Sequence, residues 1–276
     1  MIHLFALLSL LLCGVCYTGF QNSSHFHNTG NRRSLLLLVF GGALLLRLLL
    51  AYTTHGFSND IACFAAWADR IFTLGPGQFY SAEMFTDYPP GFMYVLYLIG
   101  ALRSLLQIPY YSDLHILLLK LPAILCDIAC GFLLYREAVK RLHFSDLQGI
   151  FAASAYLFQP AVILNSSCWG QVDSVYTLMI ILMCLFLMKG NLLPAYAVYG
   201  LGVLLKPQML IFTPVLLAGI WDHVFLQDFS WRKFFYNLCG GLVVICGMLL
   251  LCAPFGLTAA ISQYTSTLGS YEYAAI

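Results

Sequence analysis

The sequence predicts an all-α protein, a polytopic transmembrane helical bundle with a long first external loop that holds interfacial helices. Of the 276 residues, 61% are hydrophobic and 9% are charged, whereas a soluble domain carries about 25% charged residues. The apolar residues are gathered in runs that approach the roughly 20 residues needed to span a bilayer. One polar stretch, residues 53–111, interrupts these runs. Because the net charge is only +1, we expect the lipid bilayer as a partner and no nucleic acid.

The N-terminal segment is predicted to be separate from the main bundle. Residues 3–20 form an apolar run without a basic segment before it, which favours an extra membrane helix over a cleaved signal peptide. We therefore divide the chain into residues 1–34, the extra helix with a polar linker, and residues 35–276, the main transmembrane module. Residues 257–276 continue externally without a closing helix, so we expect that module to be truncated at its C-terminus.

The basic residues predict the orientation of the bundle. Arg32 and Arg33 precede the first main helix, residues 35–52, and place its start in the cytoplasm by the positive-inside rule. The end of that helix and the long loop after it are then external. Within the loop, the amphipathic segment 61–74 should lie in the membrane interface with its apolar side down.

The apolar run 92–106 has two interpretations, because about 15 residues is marginal for spanning a bilayer. If it spans, the basic cluster that ends the next helix, residues 114–134, becomes external. If it lies on or dips into the outer leaflet, that cluster is cytoplasmic. We prefer the second interpretation, since it agrees with the positive-inside rule. The cluster consists of Arg136, Lys140 and Arg141.

The later helices are predicted to alternate across the membrane, with residues 221–233 in the cytoplasm. Their predicted ranges are 147–164, 175–188, 192–205, 209–220 and 234–251. This topology predicts one external site, because it brings the polar candidates to the same face. These candidates are Asp60, Asp87, Gln171, Asp173, Lys206 and Gln208.

Asp60 is the candidate catalytic residue, because a carboxylate at the external interface can act as a general base toward an acceptor hydroxyl. The structural alternative is that Ser58-Asn59-Asp60 caps the helix that follows. Further along the loop, Asp87-Tyr88-Pro89-Pro90-Gly91 predicts a rigid turn into a helix. Asp87 and Tyr88 either only start that helix or also bind substrate.

The run Trp169-Gly170-Gln171-Val172-Asp173-Ser174 predicts a second part of the site. The Trp169 ring offers a stacking face, and Gln171 and Asp173 offer hydrogen-bonding groups that suit sugar hydroxyls. The alternative is a tryptophan of the interfacial aromatic belt followed by a capped helix.

Two lysines are candidate phosphate-binding residues. Lys206 stands between two apolar segments and next to the helix-breaking Pro207, where it needs a partner such as a lipid phosphate, or else snorkels to the surface. Lys120 is a second candidate phosphate contact, and Asp127 on the same predicted helix is expected to be a structural anchor with a partner on another helix. Arg47 is expected to snorkel or to form an internal pair.

Together, Asp60, the helix with Trp67, the Asp87-Tyr88-Pro89-Pro90 turn, the Trp169–Ser174 run and Lys206-Pro207-Gln208 resemble the GT-C superfamily of integral-membrane glycosyltransferases. The resemblance is closest to bacterial mannosyltransferase-like proteins related to protein O-mannosyltransferases. It implies that a mannose-like hexose passes from a polyprenyl-phosphate sugar to a lipid, glycan or protein acceptor. It also implies Asp60 as the base. No metal site or required cofactor is predicted, although Asp60 and Asp87 allow a divalent metal.

The resemblance implies a multi-pass enzyme of the bacterial cell membrane with an outward-facing site. Two other functions compete with this hypothesis. A transporter or flippase for a lipid-linked or polar substrate would place its charges through the membrane depth and its site near the midplane. A non-catalytic membrane scaffold is the third possibility, but it leaves Gln171, Asp173 and Lys206 without an explanation.

Overall fold

The computed structural model describes residues 9–12, 14–19, 32–80, 85–227 and 229–262, which form helices and turns without a strand among them. Helix α1 comprises residues 9–12 and 14–19. The later helices are α2 (Arg32–Thr53), α3 (Ser58–Leu74), α4 (Pro90–Leu105), α5 (Asp113–Lys140), α6 (Asp146–Leu157), α7 (Pro160–Ile163), α8 (Asp173–Leu187), α9 (Leu192–Leu205), α10 (Thr213–Trp221) and α11 (Trp231–Cys252). The predicted all-helical fold is confirmed.

Four helical stretches in the described part of the chain are long and apolar enough to cross a membrane. They are Arg32–Thr53, Asp113–Lys140, Pro207–Leu226 and Trp231–Phe255. A fifth crossing is possible if α6 and the Pro160–Trp169 helix, bent by 52°, form one span. The bend lies at Pro160, since proline disfavours helical backbone in the residue before it. The chain is therefore a multi-pass membrane protein.

The chain divides into two compact units. The first contains Met1–Ala62 and Pro109–Leu178, and the second contains Cys63–Ile108 and Met179–Ile276. The core of the first unit lies between α2, α5 and α6, where Ala43 and Ala153 are fully buried. Small residues at this interface let the helices approach closely, which is the main source of helix association in lipid.

A buried polar cluster joins the same three helices. Arg47 of α2 and Asp127 of α5 are both fully buried, and their Nε and Oδ2 atoms are 3.3 Å apart. The Tyr156 hydroxyl of α6 donates to Asp127 Oδ1 at 3.0 Å. Asp127 is thus a structural anchor, as predicted. Arg47 was predicted either to snorkel to the surface or to form an internal pair, and it forms the internal pair.

Contacts at both ends of α2 show that it runs antiparallel to α5. At one end, Arg32 Nε donates to the Tyr135 hydroxyl at 3.1 Å. At the other end, Lys120 Nζ donates to the Thr54 carbonyl oxygen at 2.7 Å. The basic residues at the start of α2 and those at the end of α5 therefore lie at the same end of this unit, as the charge-based topology requires.

In the second unit, α3 packs on α4. Gly100 of α4 lies so close to the Ala68 carbonyl that a Cβ atom would be 2.5 Å from that oxygen. The rings of Phe64, Trp67 and Tyr88 form an aromatic cluster beside them. The apolar side of α3 is consequently buried within the protein, whereas the sequence alone suggested that it would face lipid.

The remaining part of the second unit contains α9, α10 and α11. Gly200 lies against Met248, and Leu193 lies against Gly240, so α9 and α11 run in the same direction. The residues between α8 and α9 line one cavity together with Ser230, which precedes α11, and with the first residues of α11. This cavity lies at the end of the helices that is predicted to be cytoplasmic.

Loss of either charge of the Arg47–Asp127 pair should destabilise the protein. Asp127→Asn leaves a buried guanidinium without a counter-charge, and breaking such a pair costs about 3–5 kcal/mol in soluble proteins. We expect Arg47→Leu with Asp127→Asn to be less harmful than the sum of the single changes. The measurement is the thermal midpoint of the detergent-purified protein for both single variants and the double variant. Strictly additive losses would show that the two groups do not act as a pair.

Candidate functional site

Two chain segments meet at the end of α2 to form the centre of the candidate site in the first unit. The Phe57 amide donates to the Trp169 carbonyl oxygen at 2.8 Å, and the two rings lie 5.3 Å apart. The Thr54 hydroxyl lies 3.3 Å from the Ser167 carbonyl oxygen. These contacts join the segment between α2 and α3 to the segment between α7 and α8.

Gly170 allows the second segment to turn at this point. The π-helical turn Leu164–Trp169 ends at Gly170, whose φ of 90° is left-handed. The amides of Gly170 and Gln171 both donate to the Asn165 carbonyl oxygen, at 3.0 and 2.9 Å. The turn thereby places Trp169 and Gln171 on either side of a glycine and directs both side chains to the start of α3.

Asp60 receives those two side chains. The Trp169 Nε1 atom donates to Asp60 Oδ2 at 3.3 Å, and Gln171 Nε2 donates to the same oxygen. Within the described part of the chain, Asp60 Oδ1 has no hydrogen-bond donor. We call Asp60, Trp169 and Gln171 the Asp60 cluster. Asp60 is half-buried and Trp169 is half-exposed, so the cluster is open to solvent or to a ligand.

Asp60 also lies in the first turn of α3, which begins at Ser58. A carboxylate there interacts favourably with the positive end of the helix dipole. The three residues predicted to cap the helix therefore form its first turn instead. The assignment of Asp60 to a functional site stays a prediction.

Lys120 supports the Asp60 cluster from inside the protein. Its side chain is fully buried, and its ammonium group donates to the carbonyl oxygens of Ala51 and Thr54 and to the Thr54 hydroxyl. These bonds occupy the three N–H groups that an ammonium carries. A cation at the carboxyl end of a helix is also favourable to the helix dipole. Lys120 thus stabilises the end of α2, and its role in phosphate binding stays a prediction.

Asp173 is held beside the cluster. Its Oδ2 atom accepts a hydrogen bond from Asn165 Nδ2 at 2.9 Å, and its carbonyl oxygen accepts one from the Thr177 hydroxyl. Sequence reasoning missed the roles of Asn165 and Thr54 in holding this site together. The signal for Asn165 was its position as the only amide side chain between α7 and the Trp-Gly-Gln run.

The other predicted residues belong to the second unit. Lys206 is almost buried, and its Nζ atom lies 5.7 Å from the centre of the Tyr88 ring, a cation–π contact. Asp87 is half-buried next to Tyr88 in the chain. The Oε1 atom of Gln208 is buried and accepts no hydrogen bond from the described residues. Their assignment to substrate or phosphate binding stays a prediction.

Neither unit offers a metal-binding group in the described residues, since no three side chains of His, Cys, Asp or Glu gather there. What the Asp60 cluster offers chemically is one carboxylate oxygen, an amide and an exposed indole face. This set suits hydrogen bonding to hydroxyl or amino groups and stacking against an apolar surface.

Gly170→Ala should disrupt the Asp60 cluster specifically. A left-handed backbone costs a residue with a Cβ atom about 1–2 kcal/mol, and the new methyl group would be 2.6 Å from Ile61 Cδ1. The matched control is Gly41→Ala in α2, where the added Cβ meets open space. We expect a lower thermal midpoint and altered Trp169 fluorescence for Gly170→Ala, and neither effect for the control. Equal midpoints in both variants would contradict this account.

Comparison with known families finds a match over most of the chain. The family model described as GPI transamidase subunit PIG-U matches residues 32–273. A search of curated proteins finds no match.

The family match overturns the functional predictions. The assignment to GT-C glycosyltransferases is wrong, and so are the hexosyltransferase activity, the polyprenyl-phosphate sugar donor and the glycosyl acceptor. The alternative of a transporter or flippase is also wrong. The match gives no support to a bacterial membrane or an outward-facing site.

The physical reason for this error is that ionisable and amide side chains near a membrane need partners in any helical bundle. In this protein Asp60, Gln171 and Asp173 are hydrogen-bonded to other side chains of the same unit. Their presence in the sequence therefore does not by itself indicate a reaction. Since the matched family covers most of the sequence, this chain belongs to the PIG-U family of GPI transamidase subunits.

Proposed function

We propose that this chain is a non-catalytic, membrane-embedded subunit of a GPI transamidase in the endoplasmic reticulum membrane. The observation that carries the proposal is the family match over residues 32–273. A GPI transamidase attaches GPI to proteins, so the partners of this chain are the other subunits of that complex. The external face of the charge-based topology corresponds to the lumen of this organelle.

The contacts of the polar residues support a non-catalytic role. From the sequence alone, the hypothesis of a non-catalytic membrane scaffold gave no explanation for Gln171, Asp173 and Lys206. Gln171 bonds to Asp60, Asp173 bonds to Asn165, and Lys206 lies over the Tyr88 ring. Each of these contacts is accounted for by the packing of a membrane protein, with no reaction required.

The Asp60 cluster gives this subunit a surface for substrate. On the lumenal side, Asp60 Oδ1 can accept a hydrogen bond from a hydroxyl or amino group of the GPI glycolipid, and the exposed Trp169 ring can stack against a sugar. Two donors hold the carboxylate in one orientation before any ligand arrives. Such preorganisation lowers the entropic cost of binding.

Membership of the complex can be tested directly. When the full-length protein is tagged and purified in mild detergent, it should carry with it the other transamidase subunits. Its removal from cells should prevent a GPI-anchored reporter from reaching the cell surface. Recovery of the chain without these subunits, together with normal anchoring in its absence, would exclude the proposed function.

Substrate contact by the Asp60 cluster has a separate test. Asp60→Asn should lower the rate of reporter anchoring roughly tenfold or more, since a hydrogen bond to a charged acceptor contributes about 1.5–3 kcal/mol. Co-purification of the other subunits should be unchanged. The matched control is Asp113→Asn, because Asp113 is an exposed carboxylate at the same end of this unit, 3.6 Å from His55. Normal anchoring by Asp60→Asn would remove the cluster from substrate binding and leave subunit membership intact.

A further inference from the structure

An apolar cavity lies between α9, α10 and α11 in the second unit. Its volume is about 400 Å³, within the range of about 300–1,000 Å³ typical of ligand sites. Along α11 its lining extends from Phe234 to Met248, which is roughly 21 Å at about 1.5 Å per residue. The hydrocarbon region of one leaflet is roughly 15 Å deep. The cavity is therefore long enough for most of an acyl chain.

The polar side chains in the wall of this cavity bond to the protein. The Tyr196 hydroxyl lies 3.5 Å from Asn237 Oδ1, and Asn237 Nδ2 donates to the Lys233 carbonyl oxygen at 2.8 Å. The hydroxyls of Tyr199 and Thr213 are hydrogen-bonded to each other. A hydrocarbon occupant consequently leaves none of these groups without a partner.

A second cavity of about 640 Å³ adjoins the first, and Asn237 lines both. Three basic side chains line this second cavity, those of His223, Arg232 and Lys233, and its described lining includes no carboxylate. The nearby Asp222 carboxylate lies outside that lining and accepts a hydrogen bond from Gln227 Nε2 at 2.6 Å. Lys233 Nζ also donates to the Gln227 carbonyl oxygen at 3.0 Å. The three basic side chains together favour an anion in the second cavity.

The start of α11 adds to the attraction for an anion. Ser230 precedes this helix and lines the basic cavity, and its side chain makes no capping hydrogen bond to the helix. The first amides of a helix have no acceptor within that helix, and together with the helix dipole they favour a phosphate group. The basic cavity thus combines two cationic side chains, a histidine and the N-terminal end of α11, a helix of 22 residues.

We propose that the two cavities form one binding site for an anionic glycerophospholipid, with an acyl chain in the apolar cavity and the headgroup phosphate in the basic cavity. The two cavities adjoin at Asn237, which lines both. A basic cavity next to an apolar one matches a phospholipid, whose charged headgroup is joined to its acyl chains. The basic cavity lies at the end of the unit predicted to be cytoplasmic. This lipid is therefore distinct from a lumenal GPI substrate, and the proposal does not rest on the proposed function.

Native mass spectrometry of the full chain tests the proposal, with phosphatidylserine and phosphatidylcholine of identical acyl chains offered in equal amounts. We expect phosphatidylserine to be retained preferentially. Changing both Arg232→Gln and Lys233→Gln should lower its retention by up to roughly thirtyfold, because each cation near an anionic headgroup contributes a factor of about five. The matched control removes two charges elsewhere, with Lys140→Gln and Arg141→Gln, and should retain the lipid.

A second pair of variants tests the apolar cavity. Gly241 lines it, and a Cβ atom there meets open space, so Gly241→Phe should extend a ring into the cavity and abolish retention of both lipids. Gly247, on the same helix, also faces open space but lies outside the lining, so Gly247→Phe should have no effect.

Three results would overturn the proposal. The first is equal retention of the two lipids by the unchanged protein. The second is lipid loss in Gly247→Phe equal to that in Gly241→Phe. The third is displacement of a partner subunit from the complex by Gly241→Phe while lipid retention stays constant, which would assign the apolar cavity to a protein helix.

Discussion

The candidate site depends on the hydrogen bonds that the Lys120 ammonium group donates. This group is buried in a membrane protein, where an ionic group without partners is costly. It donates hydrogen bonds to the carbonyl oxygens of Ala51, in the last turn of α2, and of Thr54, just after that helix. This fixes the direction in which the chain leaves α2 toward α3. Thr54, which accepts two of the lysine hydrogen bonds, also contacts the segment before Trp169. The position of the Asp60 cluster follows from these contacts.

The Arg47–Asp127–Tyr156 cluster serves the packing of the same helices at a different depth. Helices in lipid gain little from burial of apolar surface, because the lipid tails are equally apolar. Close packing and hydrogen bonds must therefore select their partners. Arg47 and Tyr156 both bond to Asp127, so one carboxylate of α5 specifies both α2 and α6 as neighbours. Together with the hydrogen bonds of Lys120 and the Arg32–Tyr135 hydrogen bond, this cluster links α2 to its neighbours in the first unit.

The functional correction has a general physical basis. An ionisable residue in a membrane segment is first interpreted as part of a functional site, because its burial is costly. That cost can also be offset by other side chains of the same protein. Asp173 with Asn165 and Lys206 with Tyr88 are examples, since each contact lies within one unit and needs no substrate. Residue type and spacing therefore indicated a polar surface near a membrane, while the match to a family model identified the family.

The sequence by itself determined the helical class, because its charged fraction and long apolar runs suit only a lipid environment. It also favoured the placement of the basic residues at the start of α2 and at the end of α5 on one side of the membrane, since the positive-inside rule depends on basic residues that the sequence displays. Only the tertiary structure decided which polar groups meet. Asp60 and Gln171 are 111 positions apart, and Arg47 and Asp127 are 80 apart. Such contacts depend on the rotation of each helix about its own axis and on the left-handed turn at Gly170. When a helix is apolar on all sides, the spacing of its apolar residues in the sequence does not specify that rotation.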